Sequence, residues 1–258
     1  MKIEQCKFLV LAFVLIGSQL AAAEDKNIVI GSELATHAEM LKVKLGMAKP
    51  GKTWNFQFGD YAVKSSKMGP TVSNSEYAGL GDTTRGSSRN EFGFVLGSKT
   101  SVSAELNAAF RGATATRTSR KLPDVILDRD EVKKNTYVFA AEITISNDNE
   151  EVWDLMLEYA EGTRVAAQDE GLLTNGSRSF AIVPASSATG GKDTRTFPAL
   201  GYEFLEGGVS IAAVQYFGGG AFGFNKNIIW LGADLDADMK LVLAAAMAAI
   251  LQVKVRTH

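Results

Sequence analysis

The sequence predicts a mainly β protein, a single antiparallel β-barrel or roll of about ten to twelve strands enclosing a hydrophobic C-terminal α-helix. Three observations lead there. Apolar and polar residues alternate at period two along much of the chain, as in strands with one buried face. The 25 glycines are spread through the sequence, which suits many short strands joined by tight turns. The chain closes on "ADLDADMKLVLAAAMAAILQV", Ala233 to Val253, in which the eleven residues from Leu241 to Leu251 are all apolar. A helix over about residues 238–253 with no polar stripe cannot lie on a surface. It is also too short to span a bilayer, which takes about 20 apolar residues. It is therefore expected inside protein, with the alanines around Met247 keeping it slim enough for strands to close around it.

At the N-terminus, Lys2 and Lys7 accompany an apolar run from Phe8 to Ile16, and Ala21-Ala22-Ala23 offers a cleavage site before Glu24. These are the parts of a secretory signal peptide. Residues 1–23 are expected to be removed, leaving residues 24–258 as one β-rich domain, periplasmic or secreted, with no transmembrane segment. The only cysteine, Cys6, precedes the apolar run and is not placed as a lipid acceptor, so the mature chain would hold neither thiol nor disulfide. Without Lys2, Lys7 and Glu4 the chain keeps 25 basic and 28 acidic residues, a formal charge of −3. That balance points away from nucleic acid and from an anionic membrane surface.

The strands follow in order. Trp54, Phe56 and Phe58 share one face of "TWNFQFGDYAV", as do Phe92, Phe94 and Leu96 of "EFGFVLG". Val102, Ala104, Leu106 and Ala108 alternate against Ser103, Glu105 and Asn107, and Tyr137, Phe139, Ala141, Ile143 and Ile145 continue the pattern. "EEVWDLMLEYAEG" fits a strand through Trp153, Leu155, Leu157 and Tyr159, although Asp148 and Glu151 also have the spacing of a helix capping box. Asn175-Gly176 predicts a type I′ hairpin. "GVSIAAVQYF" and "NKNIIWLG" are the last two strands. Three polar connections, Val72–Asn90, Arg117–Asn135 and Pro184–Pro198, are long enough to be partly structured or functional.

The stretch Val209–Val253, with its two strands, Asp234-Leu235-Asp236, Met239-Lys240 and the apolar helix, resembles the ending of phospholipid scramblases. These belong, with the LURP-one-related proteins, to the tubby C-terminal-like superfamily. The resemblance covers about a fifth of the chain and implies a barrel threaded by its last helix. The family's basic lipid-headgroup patch and palmitoylated cysteines have no counterpart here, and its members are mostly intracellular.

Few constellations carry chemistry. Gly218 to Gly223 spells G-x-G-x-x-G, but a strand follows where a dinucleotide site needs a helix, so it reads as a hairpin loop. Asp234, Asp236 and Asp238 lack the glycine and glutamate of a calcium loop and read as a helix cap. His37, the only histidine before the terminal His258, cannot build a zinc site or a triad and reads as a strand or turn residue. Asp154 and Glu158 could serve a carboxylate hydrolase, but they share a partly solvated face with Val152 and Met156. Arg85, Arg89, Arg111, Arg117, Arg120 and Lys121 form the candidate anion-binding set. No cofactor and no metal are expected. The leading expectation is an exported, non-enzymatic protein that binds a lipid, another amphiphile or an envelope protein. The alternatives are a carboxylate-dependent hydrolase of the envelope and a structural surface module.

Overall fold

The computed structural model describes residues 27–78, 83–99, 103–117, 136–146, 151–160, 170–191, 197–219 and 227–256. Fourteen strands form one sheet. They are β1 (Ala38–Lys42), β2 (Lys44–Gly46), β3 (Asn55–Phe58), β4 (Tyr61–Met68), β5 (Val72–Ala78), β6 (Thr83–Gly97) and β7 (Ser103–Arg117). There follow β8 (Thr136–Ile145), β9 (Val152–Ala160), β10 (Glu170–Thr174), β11 (Ser179–Ser186), β12 (Leu200–Glu206), β13 (Val209–Phe217) and β14 (Ile228–Gly232). A short helix α1 (Ser32–His37) precedes them and α2 (Ala237–Arg256) ends the chain.

Every strand pairing is antiparallel, and from β6 to β14 each strand pairs with the next in sequence. Closure comes from one stretch of chain. β1 pairs with β14 and β2, one residue further on, pairs with β3. Val43 between them donates its amide to the Asn227 carbonyl at 3.0 Å. β4 and β5 are likewise two halves of one interrupted strand, pairing with successive parts of β6. Counted that way, the wall is a nearly closed cycle of twelve strands.

The seam lies between β3 and β4, which share only two register pairs. There Ser66 Oγ donates to the Trp54 carbonyl at 2.8 Å and accepts from the Trp54 amide at 3.2 Å. The Ser66 amide donates to the Gly51 carbonyl at 3.1 Å, so the loop before β3 fills the gap.

Inward positions follow the predicted alternation. Trp54, Phe56, Phe58, Phe94, Leu96, Leu106, Phe139, Ile143, Ile145, Trp153, Leu155 and Leu157 are buried, and Val152–Ala160 is a strand. Val102 and the Asp148 side of the capping-box alternative lie outside the described residues. The core of the barrel is α2. From Leu241 to Leu251 every residue is buried, nearly all of them completely. The helix contacts β13 and β14 on one wall and β6, β7 and β8 on the opposite wall. It runs slightly beyond the predicted 238–253. Asp236 caps it, accepting the Met239 amide on Oδ1 at 2.7 Å, while Lys240 Nζ donates to the Ala233 carbonyl at 2.8 Å.

A second, smaller cluster lies outside the barrel. Ile28 and Leu34 of the N-terminal segment cover Ala185, Ala199, Ala213, Ile228 and Trp230. The segment is pinned where the Ile28 amide donates to Gln215 Oε1 at 3.0 Å and the Gly31 amide to Glu203 Oε1 at 2.7 Å. His37 ends α1 and is exposed, so it is a helix residue and not the strand or turn residue its surroundings suggested. Within the Val72–Asn90 connection, Val72–Ala78 pairs with the first part of β6 as strand β5. The β10–β11 hairpin forms where expected, but its tip is Gly176-Ser177. Asn175 closes it with its amide on the Arg178 carbonyl at 3.2 Å, and its Oδ1 accepts the Arg178 amide at 2.8 Å. Only Gly176 needs its positive φ of 85° for this. Arg178 grips the Glu206 carboxylate with Nε at 2.5 Å and Nη2 at 2.9 Å, holding that carboxyl below its usual range.

Two stability predictions follow from this core. Ala245→Asp would place an unpaired charge at the centre of α2. The penalty of several kcal/mol is comparable to the whole stability of a domain, about 5–15 kcal/mol, so loss of the cooperative thermal transition in circular dichroism is expected. An unchanged melting temperature would refute the buried-helix core. The half-buried Tyr61 phenol, stacked on Phe58, is pushed up to about 12, first by burial and then by Glu39 and Asp60. Unfolded tyrosines ionise near pH 10, so its stabilisation is complete below pH 10 and is lost as pH rises through 12. Urea midpoints of Tyr61→Phe should fall less than wild type between those values.

Candidate functional site

Among the described residues, α2 and the inward side chains occupy the barrel interior, which leaves the outer wall and the ends for a site. The outer wall of β4 and β6–β10 carries an open trough of about 830 Å³. It forms because small residues stand among longer ones. Ala140 lines it, and next to the lining residues Lys67 and Asn107 a β-carbon at Gly93 would come within 2.9 Å of Lys67 Cε and 3.0 Å of Asn107 Oδ1. Lys67 and Met68 bound one end, Met156 and Thr174 the other, and Glu91, Glu142 and Asp154 line the sides.

Register explains how these residues meet. β-Strand side chains alternate, so positions opposite one another form rows across the wall. One row runs Asn107, Glu142, Asp154, Thr174. The next runs Ala140, Met156, Leu172, Ala181. Glu142 and Asp154 are direct register partners, which leaves two like charges facing each other at a cost. Both are exposed, as is Glu91. Glu91 is engaged by Arg89 at 2.5 Å, with both side chains about half exposed, so this ion pair contributes little.

Carboxylates are spread over the outer wall. A membrane-spanning barrel carries an apolar band outside, whereas here Glu91, Glu105, Glu142, Asp154 and Glu158 face outward beside a few exposed apolar residues such as Met156 and Leu172. Among the described residues no helix is long and apolar enough to cross a membrane, and no group of His, Cys, Asp or Glu could hold a metal ion.

The predicted anion set is only partly gathered. Arg89 and Arg111 are register partners, and Arg85 and Arg117 stand further along the same β6–β7 ladder, opposite Ala115 and Thr83. Of these four, Arg89 is exposed. Arg120 and Lys121 lie outside the described residues. The G-x-G-x-x-G run stands between β13 and β14 in the chain, and the next described element after it is the antiparallel strand β14. Sequence reasoning weighed Asp154 with Glu158. The carboxylate opposite Asp154 is in fact Glu142, a partner that only the β8–β9 register reveals.

Compared with protein-family models the chain matches none, and it matches no characterised protein and no solved structure. The site therefore rests on its own geometry.

Relief of the repulsion is measurable. Glu142→Gln is expected to raise the melting temperature by about 1–3 °C at low ionic strength. In about 1 M salt, where the screening length falls to ~3 Å, the difference from wild type should disappear.

Proposed function

We propose that the protein is an exported, non-enzymatic binding module, and that the outer trough holds an amphiphilic ligand or an envelope protein. The observation that carries this reading is the exposed apolar row beside the trough. Met156 is 54% and Leu172 42% exposed on a barrel whose interior α2 already fills. An apolar ligand has no room inside, so it must meet the wall from outside, where contiguous apolar surface marks interaction sites. The helix enclosed by strands supports the resemblance to the tubby C-terminal-like superfamily. The signal-peptide pattern of residues 1–23 supports export to the periplasm or beyond.

The carboxylate-hydrolase reading draws on Glu142 facing Asp154 in the trough. General acid catalysis by a carboxyl needs a site withdrawn from water, and these two groups are exposed. Binding without turnover accounts better for an open, solvated trough.

Titration calorimetry with dodecyl maltoside below its micelle concentration tests the reading. Saturable binding is expected, with the double variant Met156→Glu, Leu172→Glu weakening it about tenfold through loss of apolar contact. Heat that is unaltered by the double variant would place the amphiphile elsewhere. Amino-terminal sequencing of exported material should begin at Glu24.

A further inference from the structure

The outer wall of β8–β11 carries a pattern that the core does not require. Ala140, Met156, Leu172 and Ala181 are aligned by register across these four strands, and all are exposed. On one side of this apolar row stand Glu142 and Asp154, register partners of each other. On the other side stand Glu158 and Glu170, also register partners. All four carboxylates are exposed, and none of the four strands contains a lysine or an arginine. Like charges set directly opposite one another cost stability. Two such pairs, one on each flank of one apolar row, are offset by no cation on these four strands and become favourable once a cationic partner lies between them.

The dimensions select the partner. Strands lie about 4.8 Å apart, so the apolar row spans roughly 14 Å. The two acidic rows lie two residues to either side, and are therefore also about 13–14 Å apart. An extended peptide covers the roughly 14 Å of the apolar row with only about four residues, too few to supply both the apolar contacts and cations for two flanks. An α-helix is about 10–12 Å across, and roughly ten residues of it cover the row. Its apolar stripe would rest on Met156 and Leu172, and lysines or arginines on its two flanks would reach Glu142 and Asp154 on one side and Glu158 and Glu170 on the other. We infer that the β8–β11 wall is a docking surface for a basic amphipathic helix of a partner polypeptide. The inference rests on the outer wall being the binding surface and narrows what binds there.

The test uses three probes on the purified protein. One is a labelled leucine–lysine peptide of about 14 residues patterned at helical period. A second has the same composition alternating at period two. The third is dodecyl maltoside. The helical-period peptide is expected to bind, to gain helical circular dichroism on binding, and to weaken roughly five- to tenfold in Glu142→Gln, Asp154→Asn and again in Glu158→Gln, Glu170→Gln. Glu105→Gln, outward on β7 but away from the pattern, should leave it unchanged, and melting curves confirm that every variant is folded. Equal binding of the period-two peptide, or dependence on one acidic pair alone, overturns the helix. If the detergent binds and neither peptide does, the amphiphile reading stands and the helix inference falls. If nothing binds, both fall.

Discussion

The structure depends on burying a helix that has no polar face. α2 satisfies its own backbone hydrogen bonds, so it can be enclosed by side chains alone provided its ends are served. Asp236 serves the first end, and the alanines 244–246 and 248–249 let the wall approach closely. The requirement then passes outward. Each wall strand must present an apolar face inward, and the wall must close on itself. The short run Ala38–Gly46 meets that second demand by pairing with β14 over its first half and β3 over its second. The wall and the helix are thus each other's core.

Filling the barrel in this way decides where function can be. A barrel with an open interior can hold its ligand inside; this one offers only its outer surface and its ends. On β11–β14 the outer wall is covered by the N-terminal segment, through Ile28, Leu34 and the amide contacts to Gln215 and Glu203. The wall of β8–β10 carries no such cover among the described residues, and there Val138, Met156 and Leu172 stay exposed. The trough and the uncovered apolar row meet at Ala140 and Met156.

The inner face was legible in the sequence because it is written in local order. Period-two runs placed Phe92, Phe94 and Leu96, or Trp153, Leu155 and Leu157, on one buried face without knowledge of any neighbour. The helix was legible because eleven apolar residues admit few environments. What stayed hidden depends on pairing between segments. The β5–β6 pair is polar on both sides and left no alternation to read. The N-terminal segment takes its shape from the surface it covers. Glu142 and Asp154 are twelve residues apart in the chain and meet only because Ile143 pairs with Trp153 in the core. Of the arginine set, chosen for closeness in sequence, Arg85, Arg89, Arg111 and Arg117 are spread along the β6–β7 ladder.

That last pairing links the two faces of the wall. A strand cannot shift by one residue against its neighbour without turning its apolar side to water. The helix therefore fixes the register of β8, β9 and β10 through Phe139, Ile143, Trp153, Leu155 and Leu173, all fully or almost fully buried. Once register is fixed, the outward residues between these positions have fixed partners too. Any of them could be exchanged for threonine or lysine without disturbing the core, and lysine at one of each pair would convert repulsion into attraction. The chain instead places acid opposite acid twice, with an apolar row between. The core sets which outward positions face one another and leaves their chemistry free, so the choice of four carboxylates around Met156 and Leu172 reflects what the wall meets outside itself.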